Sequence, residues 1–492
     1  MAGLWSSCPC TSISWTSSFR RAGPLGGGQG ISGSRHCELP IQATGLAPGD
    51  CLPCGVGGRS HPGRTGLRIV ADVGGKKLHR SKRVFLDGEG PNSRVKKIGP
   101  NAGLAATKEA TQGEVGSPLP KGATKEDAEY MRMAVQLARK AIGQTSPNPM
   151  VGCVIVKDGQ IIGRGFHPKA GEPHAEVFAL REAGAKAKGG TAYVSLEPCN
   201  HTGRTPPCSQ ALVRAQVKRV VVGTVDPNPL VGGKGVQTLL KAGIEVVVGV
   251  EEALCQATAE TFFHRITAKK PFVTLRYMMS LDGALLGSCE DGTEAGSHFS
   301  LLLQEHDAVV ITDACVYDDP RLLSSEPGAK QPLRVVLAKS MDLPMESQVF
   351  DTNLAPTLVL TDQSALMEDV EISTRKSRMS SDTILRSKGV EVVVVNEATL
   401  DYVLDLLYQR GFNSVLLDSR GPESSGLENY LGQRAVIEQA AQKLVVVIQP
   451  ILAGSTRGGL GFSIEGELLR LERVSTRMEG GNVTVEGYFP KS

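Results

Sequence analysis

Three metal-binding side chains and one carboxylate stand close together in this chain. His174 is followed two residues later by Glu176, and Pro198-Cys199 and Cys208 come after them. Imidazole and two thiolates suit zinc, and three protein ligands leave the fourth tetrahedral position open for water. Zinc lowers the pKa of its water to about 7, so a nucleophile becomes available at neutral pH. Glu176 is then placed to shuttle protons rather than to bind metal. Eight residues, Asn200–Pro207, separate the cysteines. Within them Arg204 suits a phosphate, and Asn200 or His201 suits the edge of a ring. His201 also offers a fourth ligand, which would close the site as a structural one. That alternative needs a geometry in which imidazole replaces water.

The elements that must position these groups follow from periodicity. Tyr130, Met133, Ala134, Leu137, Ala138 and Ala141 recur at three- and four-residue steps, which predicts an amphipathic helix ending near Gly143. Val151–Val156 reads as a strand, and Asp158-Gly159 is a hairpin signal before Gln160–Phe166. A helix over His174–Ala183, a strand over Ala192–Leu196 and a helix from about Ser209 follow. Strands at Arg219–Val225 and Ile244–Val250 complete a layered α/β unit. His174 and Glu176 thus open a helix, and Cys199 lies just past a strand end. From Lys270 a second α/β unit begins, with strands at Pro271–Leu275, Ala308–Ile311, Leu333–Leu337, Thr357–Leu360, Val390–Val395, Ser414–Asp418 and Leu444–Gln449. Tyr402–Leu407 supplies a helix between two of them.

Composition bounds the function classes. Among 492 residues, 54 Lys+Arg against 51 Asp+Glu leave +3, which is no global field for holding nucleic acid, and aromatics are only 4%. No apolar run reaches the roughly 18 residues of a membrane-spanning helix. Eleven cysteines, an odd number spread over a long chain, do not form a secreted disulfide pattern. Met1–Cys37 contains no acidic residue, is rich in serine and carries Arg20, Arg21 and Arg35, the composition of an organelle transit peptide. The basic, glycine-rich stretch beyond it reads as solvated linker, and Cys51-Leu-Pro-Cys54 has no second ligand pair at finger distance.

A His-x-Glu with a later Pro-Cys and a second Cys is the ligand order of zinc nucleobase deaminases, whose generic signature places two residues between the cysteines. The eleven residues Pro198–Cys208, together with Thr145-Ser-Pro-Asn-Pro149, Gly171-Glu-Pro-His-Ala-Glu176 and Asp226-Pro-Asn-Pro229, narrow this further. They resemble the deaminase domain of the bifunctional riboflavin-biosynthesis deaminase/reductase family, over about Glu126 to Ala268. The resemblance implies that His174, Cys199 and Cys208 hold Zn2+, that Glu176 is the proton shuttle, and that Asn148, His167, His201, Arg204 and Asn228 bind substrate. It implies hydrolysis of 2,5-diamino-6-ribosylamino-4(3H)-pyrimidinone 5′-phosphate to 5-amino-6-ribosylamino-2,4-pyrimidinedione 5′-phosphate and ammonia, with self-association into oligomers.

The last 220 or so residues resemble the family's NADPH-dependent reductase half more thinly. Shared segments include Met279–Gly283, Asp318–Leu322 and Pro332–Val336. Departures fall where ligands would bind. Arg276-Tyr277 replaces a Lys-Leu, Thr312–Cys315 replaces a Gly-x-x-Thr turn, and Asp418-Ser419-Arg420 replaces Glu-Gly-Gly. Glycines allow backbone to approach a phosphate closely, and Ser-Arg does not. The Gly-rich stretch Gly454–Gly461 reads first as a loop.

The expected architecture is therefore α/β throughout. A transit peptide and disordered linker span 1–122. A cytidine-deaminase-like α/β/α domain spans 123–268, and a dihydrofolate-reductase-like α/β domain with a degenerate site spans 269–492. An intact first half, a degenerate second half and a targeting-like extension resemble the family's plant monofunctional deaminase branch, which implies the plastid stroma, a small phosphorylated pyrimidine as partner, and neither nucleic acid nor membrane. The nearest alternative is a bifunctional enzyme that still uses NADPH, and a nucleic-acid-editing deaminase stands further off.

Overall fold

The computed structural model describes residues 119–201, 206–228, 232–286, 296–419, 435–436, 439–453 and 469–490. The transit-peptide and linker expectations fall on residues outside these, except for 119–122, as do Cys51, Cys54, Arg204, Arg420 and the Gly454–Gly461 stretch.

The first lobe opens with α1 (Lys125–Ala138), started by a capping box in which Thr124 and Asp127 exchange side-chain-to-backbone hydrogen bonds. Asp127 does more than cap. Its buried carboxylate accepts from Arg219 and from the Tyr193 hydroxyl, tying the helix to the sheet beneath. Strands β1 (Gly152–Lys157) and β2 (Gln160–Phe166) form the hairpin signalled by Asp158-Gly159, whose φ angles of 51° and 73° are those of a type I′ turn. Then come α2 (Ala175–Ala183), β3 (Thr191–Leu196), α3 (Cys208–Arg214), β4 (Arg219–Thr224), α4 (Lys234–Lys241) and β5 (Glu245–Val248). Sheet order is β2-β1-β3-β4-β5, antiparallel through β2-β1-β3 and parallel from β3 to β5.

Both faces of this sheet are covered, which is why its strands read as unbroken apolar runs. Cys153, Ile155, Val220 and Val222 pack on one side with Ala179 of α2, Leu212 of α3 and Leu239 of α4. Val154, Val156 and Val221 pack on the other with Met131 and Val135 of α1. The result is the α/β/α sandwich of a cytidine-deaminase-like domain.

Two helices that the sequence reading passed over, α5 (Glu252–Thr258) and α6 (Glu260–Ala268), lead into the second lobe. That lobe contains β6 (Phe272–Ser280), α7 (His298–Glu305), β7 (Ala308–Thr312), β8 (Leu333–Ala338), β9 (Thr357–Asp362), α8 (Gln363–Arg375) and α9 (Ser381–Ser387). After these come β10 (Glu391–Val395), α10 (Leu400–Gln409), β11 (Ser414–Ser419), β12 (Lys443–Gln449), β13 (Glu472–Glu479) and β14 (Asn482–Tyr488). Among the described residues the sheet runs β10-β9-β8-β7-β11-β6-β12-β14-β13, with every pairing parallel except the two that β14 makes, to β12 and β13. This is the dihydrofolate-reductase-like α/β lobe. The strand expected to stop at Leu275 instead continues to Ser280. Its interruption in the sequence was Arg276, which is buried in register with Asp418 of β11, its Nη1 2.9 Å from Oδ1, and lies 4.1 Å over the Phe299 ring.

Candidate active site

The parallel strands β3 and β4 end at the same edge of the first sheet where β1 begins and β2 finishes, because β1 and β2 are antiparallel to each other and β1 to β3. In open α/β sheets that edge is where ligands bind. His174 is the residue before α2, and Glu176 is in its first turn. Cys199 follows β3, and Cys208 is the first residue of α3.

These three potential ligands converge. His174 Nδ1 lies 3.5 Å from Cys199 Sγ and 3.4 Å from Cys208 Sγ, and all three atoms fall within 4.8 Å of one another. Bonds of about 2.3 Å to sulfur and about 2.0 Å to nitrogen at a tetrahedral angle would place N and S about 3.5 Å apart. The donor set and its spacing therefore fit zinc. Hydrogen bonding from Cys208, with His174 adding to it, holds the Cys199 thiol well below its usual range. An anionic sulfur is what a metal ligand requires.

Glu176 is 3% exposed. Burial first, and then the nearby Cys199 sulfur, push its carboxyl up to about 7, so proton gain and proton loss are both accessible at neutral pH. Beside it, the His167 and His174 rings meet edge to face with centroids 5.4 Å apart. His167 Nδ1 is 3.1 Å from the Pro173 carbonyl, which can only accept, so Nδ1 carries the proton. Its Nε2 then accepts from the Asn148 side-chain amide at 3.0 Å. Burial lowers the His167 pKa and keeps the ring neutral.

The other candidates are less uniform. Asn228 lies at the end of β4 in a turn where its N–H donates to Asp226 Oδ1 at 2.9 Å. His201 is exposed, and among the described residues the metal-sized cluster is His174, Cys199 and Cys208 without it. Arg204 lies outside the described residues. Asn200 is not turned to a ring edge by its oxygen: Oδ1 accepts from Ser209 and Thr238 hydroxyls at 2.8 and 3.0 Å, joining the loop to α3 and α4.

One positioning residue escaped the sequence reading. Glu197, immediately before Pro198-Cys199, is buried and accepts four backbone N–H groups: Gly235 and Val236 on Oε1 at 2.8 and 3.1 Å, and Gly233 and Asp226 on Oε2 at 2.9 and 3.3 Å. It thereby clamps the Asn228-bearing loop and the start of α4 against the Cys199 loop. Gly235 makes this approach feasible, since a Cβ there would lie 2.0 Å from the Pro198 carbonyl oxygen. The available signal was a lone acid ending an apolar strand opposite a glycine-rich segment.

Comparison with known proteins agrees with this geometry. Residues 124–224 match the family described as the cytidine and deoxycytidylate deaminase zinc-binding region, and residues 271–485 match the RibD C-terminal domain. The chain is 39% identical to the Arabidopsis thaliana riboflavin biosynthesis protein PYRD, chloroplastic, over 92% of this chain and 99% of that one. It is 40% identical to the Synechocystis riboflavin biosynthesis protein RibD, over 74% and 96% of the two chains. Among solved structures, Acinetobacter baumannii RibD is similar with a TM-score of 0.60 and 34% identity, covering 75% of this chain and 99% of that one. A Thermotoga maritima protein described as a diaminohydroxyphosphoribosylaminopyrimidine deaminase/5-amino-6-(5-phosphoribosylamino)uracil reductase also has a TM-score of 0.60, at 29% identity over 74% and 99%.

Proposed function

The chain belongs to the riboflavin-biosynthesis deaminase/reductase family and is a deaminase, and from that premise we propose that it hydrolyses 2,5-diamino-6-ribosylamino-4(3H)-pyrimidinone 5′-phosphate without performing the subsequent reduction. The observation that carries the reading is the zinc-sized triangle of His174 Nδ1 and the Cys199 and Cys208 sulfurs with a buried carboxyl beside it. His174, Cys199 and Cys208 hold the metal. When bound, zinc supplies Lewis-acid activation of water at neutral pH.

The remaining work falls to side chains. Glu176 takes one proton from the attacking water and passes it to the ring nitrogen, then takes the remaining hydroxyl proton of the tetrahedral adduct and gives it to the departing amine, so that water and the amino-pyrimidine become the dione and ammonia. Asn148 meets the edge of the pyrimidine with the polar atoms its side chain has left, and neutral His167 lines the pocket beside it and fixes the orientation of that amide through their mutual hydrogen bond. Asn228 and His201 complete the substrate pocket, and Arg204 takes the 5′-phosphate as a charge-assisted donor.

The deaminase-only reading is supported by the second lobe's departures. Arg276 and Asp418 are 1% and 0% exposed at the side chain and engage each other, so neither offers its charge to a cofactor. The alternative of a bifunctional enzyme draws on the relatives whose names carry both activities. Localisation in the plastid is supported by the acid-poor, Ser- and Arg-bearing start and by the chloroplastic designation of the plant relatives. Among the described residues no helix is long and apolar enough to cross a membrane.

The deciding experiment supplies the zinc-loaded protein with the diamino substrate and NADPH and follows both ammonia and NADPH. Ammonia release without NADPH oxidation is the expected result. Oxidation coupled to ammonia release would establish the bifunctional reading, and no ammonia from zinc-loaded protein would refute the substrate.

A further inference from the structure

Asn148 reaches the site from the loop 143–150 between α1 and β1, and this loop rests on the second lobe at four successive points. Gly143 faces the backbone of α7 so closely that a Cβ would lie 2.1 Å from the Gln304 carbonyl oxygen. Ser146 Oγ donates to Asp307 Oδ2 at 2.7 Å. A Cβ on Gly411 would lie 3.7 Å from the Pro147 ring. Finally, Asn413 Nδ2 donates to the Asn148 carbonyl oxygen at 3.4 Å.

Asp307 is the common anchor. It is 4% exposed, and the same Oδ2 that takes the Ser146 hydroxyl also accepts the N–H groups of Asn413 and Ser414 at 2.8 and 3.1 Å. One carboxylate thus fixes the Asn413–Ser414 entry to β11 and the Asn148 loop in a single frame. The seam here contains a small cleft of about 30 Å³ whose lining includes Thr145, Ser146, Asn148, Asp307 and Asn413. Charge-assisted hydrogen bonds to Asp307 are the polar part of what holds the loop here.

We propose that Asp307 is a positioning residue for deamination, setting through Ser146 and Asn413 the loop that presents Asn148 to His167 and the substrate ring. The second lobe is then a working part of the deaminase site, whatever its own redox chemistry. This inference rests on the deaminase reading given above.

The test uses full-length, zinc-loaded protein, ammonia release as a function of diaminopyrimidinone phosphate concentration, and zinc stoichiometry with unfolding midpoint for each variant. Ser146→Ala and Asp307→Ala should each raise KM about five- to tenfold while kcat stays within about twofold, because what is lost is the placement of a binding group that substrate and transition state use alike. Asp307→Asn keeps an acceptor oxygen and should restore most of the loss, and Ser146→Ala/Asp307→Ala should be no worse than Asp307→Ala alone. KM unchanged in both single variants overturns the proposal. So does a rise in KM that appears only together with lost zinc or a lowered midpoint, since that is fold maintenance. Wild-type protein that releases no ammonia overturns the functional reading and this inference with it, whereas active wild type with silent variants overturns this inference alone.

Discussion

Replacing Glu197 by Gln isolates a single physical quantity, the second acceptor oxygen of a carboxylate that receives four backbone N–H groups. A carboxamide keeps one oxygen for two of those donors and turns an NH2 group toward the other two. Two buried N–H groups then lose their partner and face another donor. An unsatisfied buried donor costs about 1–3 kcal/mol. The Asp226 contact, at 3.3 Å, is the weakest of the set and belongs at the low end. The expected destabilisation is therefore about 2–4 kcal/mol, read from the denaturant midpoint of the zinc-loaded protein at constant slope. Because the released segment carries Asn228 and abuts the Cys199 loop, KM should rise at the same time, with zinc still bound at moderate denaturant-free conditions. A variant within about 0.5 kcal/mol of wild type and with unchanged KM would refute the argument, since it would mean that the four N–H groups find water or other partners at no cost.

Three further outcomes are expected. Glu176→Gln should retain stoichiometric zinc while kcat falls by about 10²–10⁴-fold, the range of a lost general acid–base; full activity in the zinc-loaded variant would remove Glu176 from the mechanism. Burial alone would raise the Asp127 pKa, but Arg219, the Thr124 N–H and the Tyr193 hydroxyl together lower it below its ordinary value. Its folded pKa being depressed, the stabilisation is present above the unfolded pKa of about 3.9 and is lost as pH falls through the folded value. The stability gap between wild type and Asp127→Asn should therefore narrow below about pH 4, and a gap that is constant with pH would contradict the pairing. In the second lobe, Arg276→Met should destabilise by about 3–5 kcal/mol by stranding Asp418, whereas Arg276→Met/Asp418→Leu should recover most of that loss. Equal unfolding midpoints for the single and double variants would show that the pair is not the cause.

The legible parts of this molecule share a physical reason. The central strands are covered on both faces, so Val220, Val221 and Val222 or Val309, Val310 and Ile311 appear as apolar runs that need no tertiary information. The convergence of His174, Cys199 and Cys208 was readable because few residue types combine as zinc ligands, and their order in the chain follows a known pattern. The illegible parts lack a local signal. Helix α6 is only nine residues long with none of them fully buried, and β13 is an edge strand exposed along nearly all its length. Arg276 broke an otherwise apolar run because its partner lies 142 residues away. Glu197 and Asp307 bind backbone N–H groups 29–39 and 106–107 residues distant, and such a function leaves no period in the sequence around it.

The pairing of β6 has a temporal meaning during synthesis. This strand emerges from the ribosome soon after the first lobe, yet its two neighbours are β11 and β12, the first of which starts at Ser414 and the second at Lys443. β6 consequently waits for well over a hundred further residues before either neighbour exists, a high-contact-order closure that is intrinsically slow. Asp307 likewise meets Asn413 and Ser414 only after that wait. The nascent first lobe can already bury its own core while β6 remains unpaired and β7, paired with β8 on one side, keeps its other edge open, the kind of intermediate that chaperones shield. Chains halted between β7 and β11 should accordingly partition into aggregates rather than accumulate as soluble half-proteins.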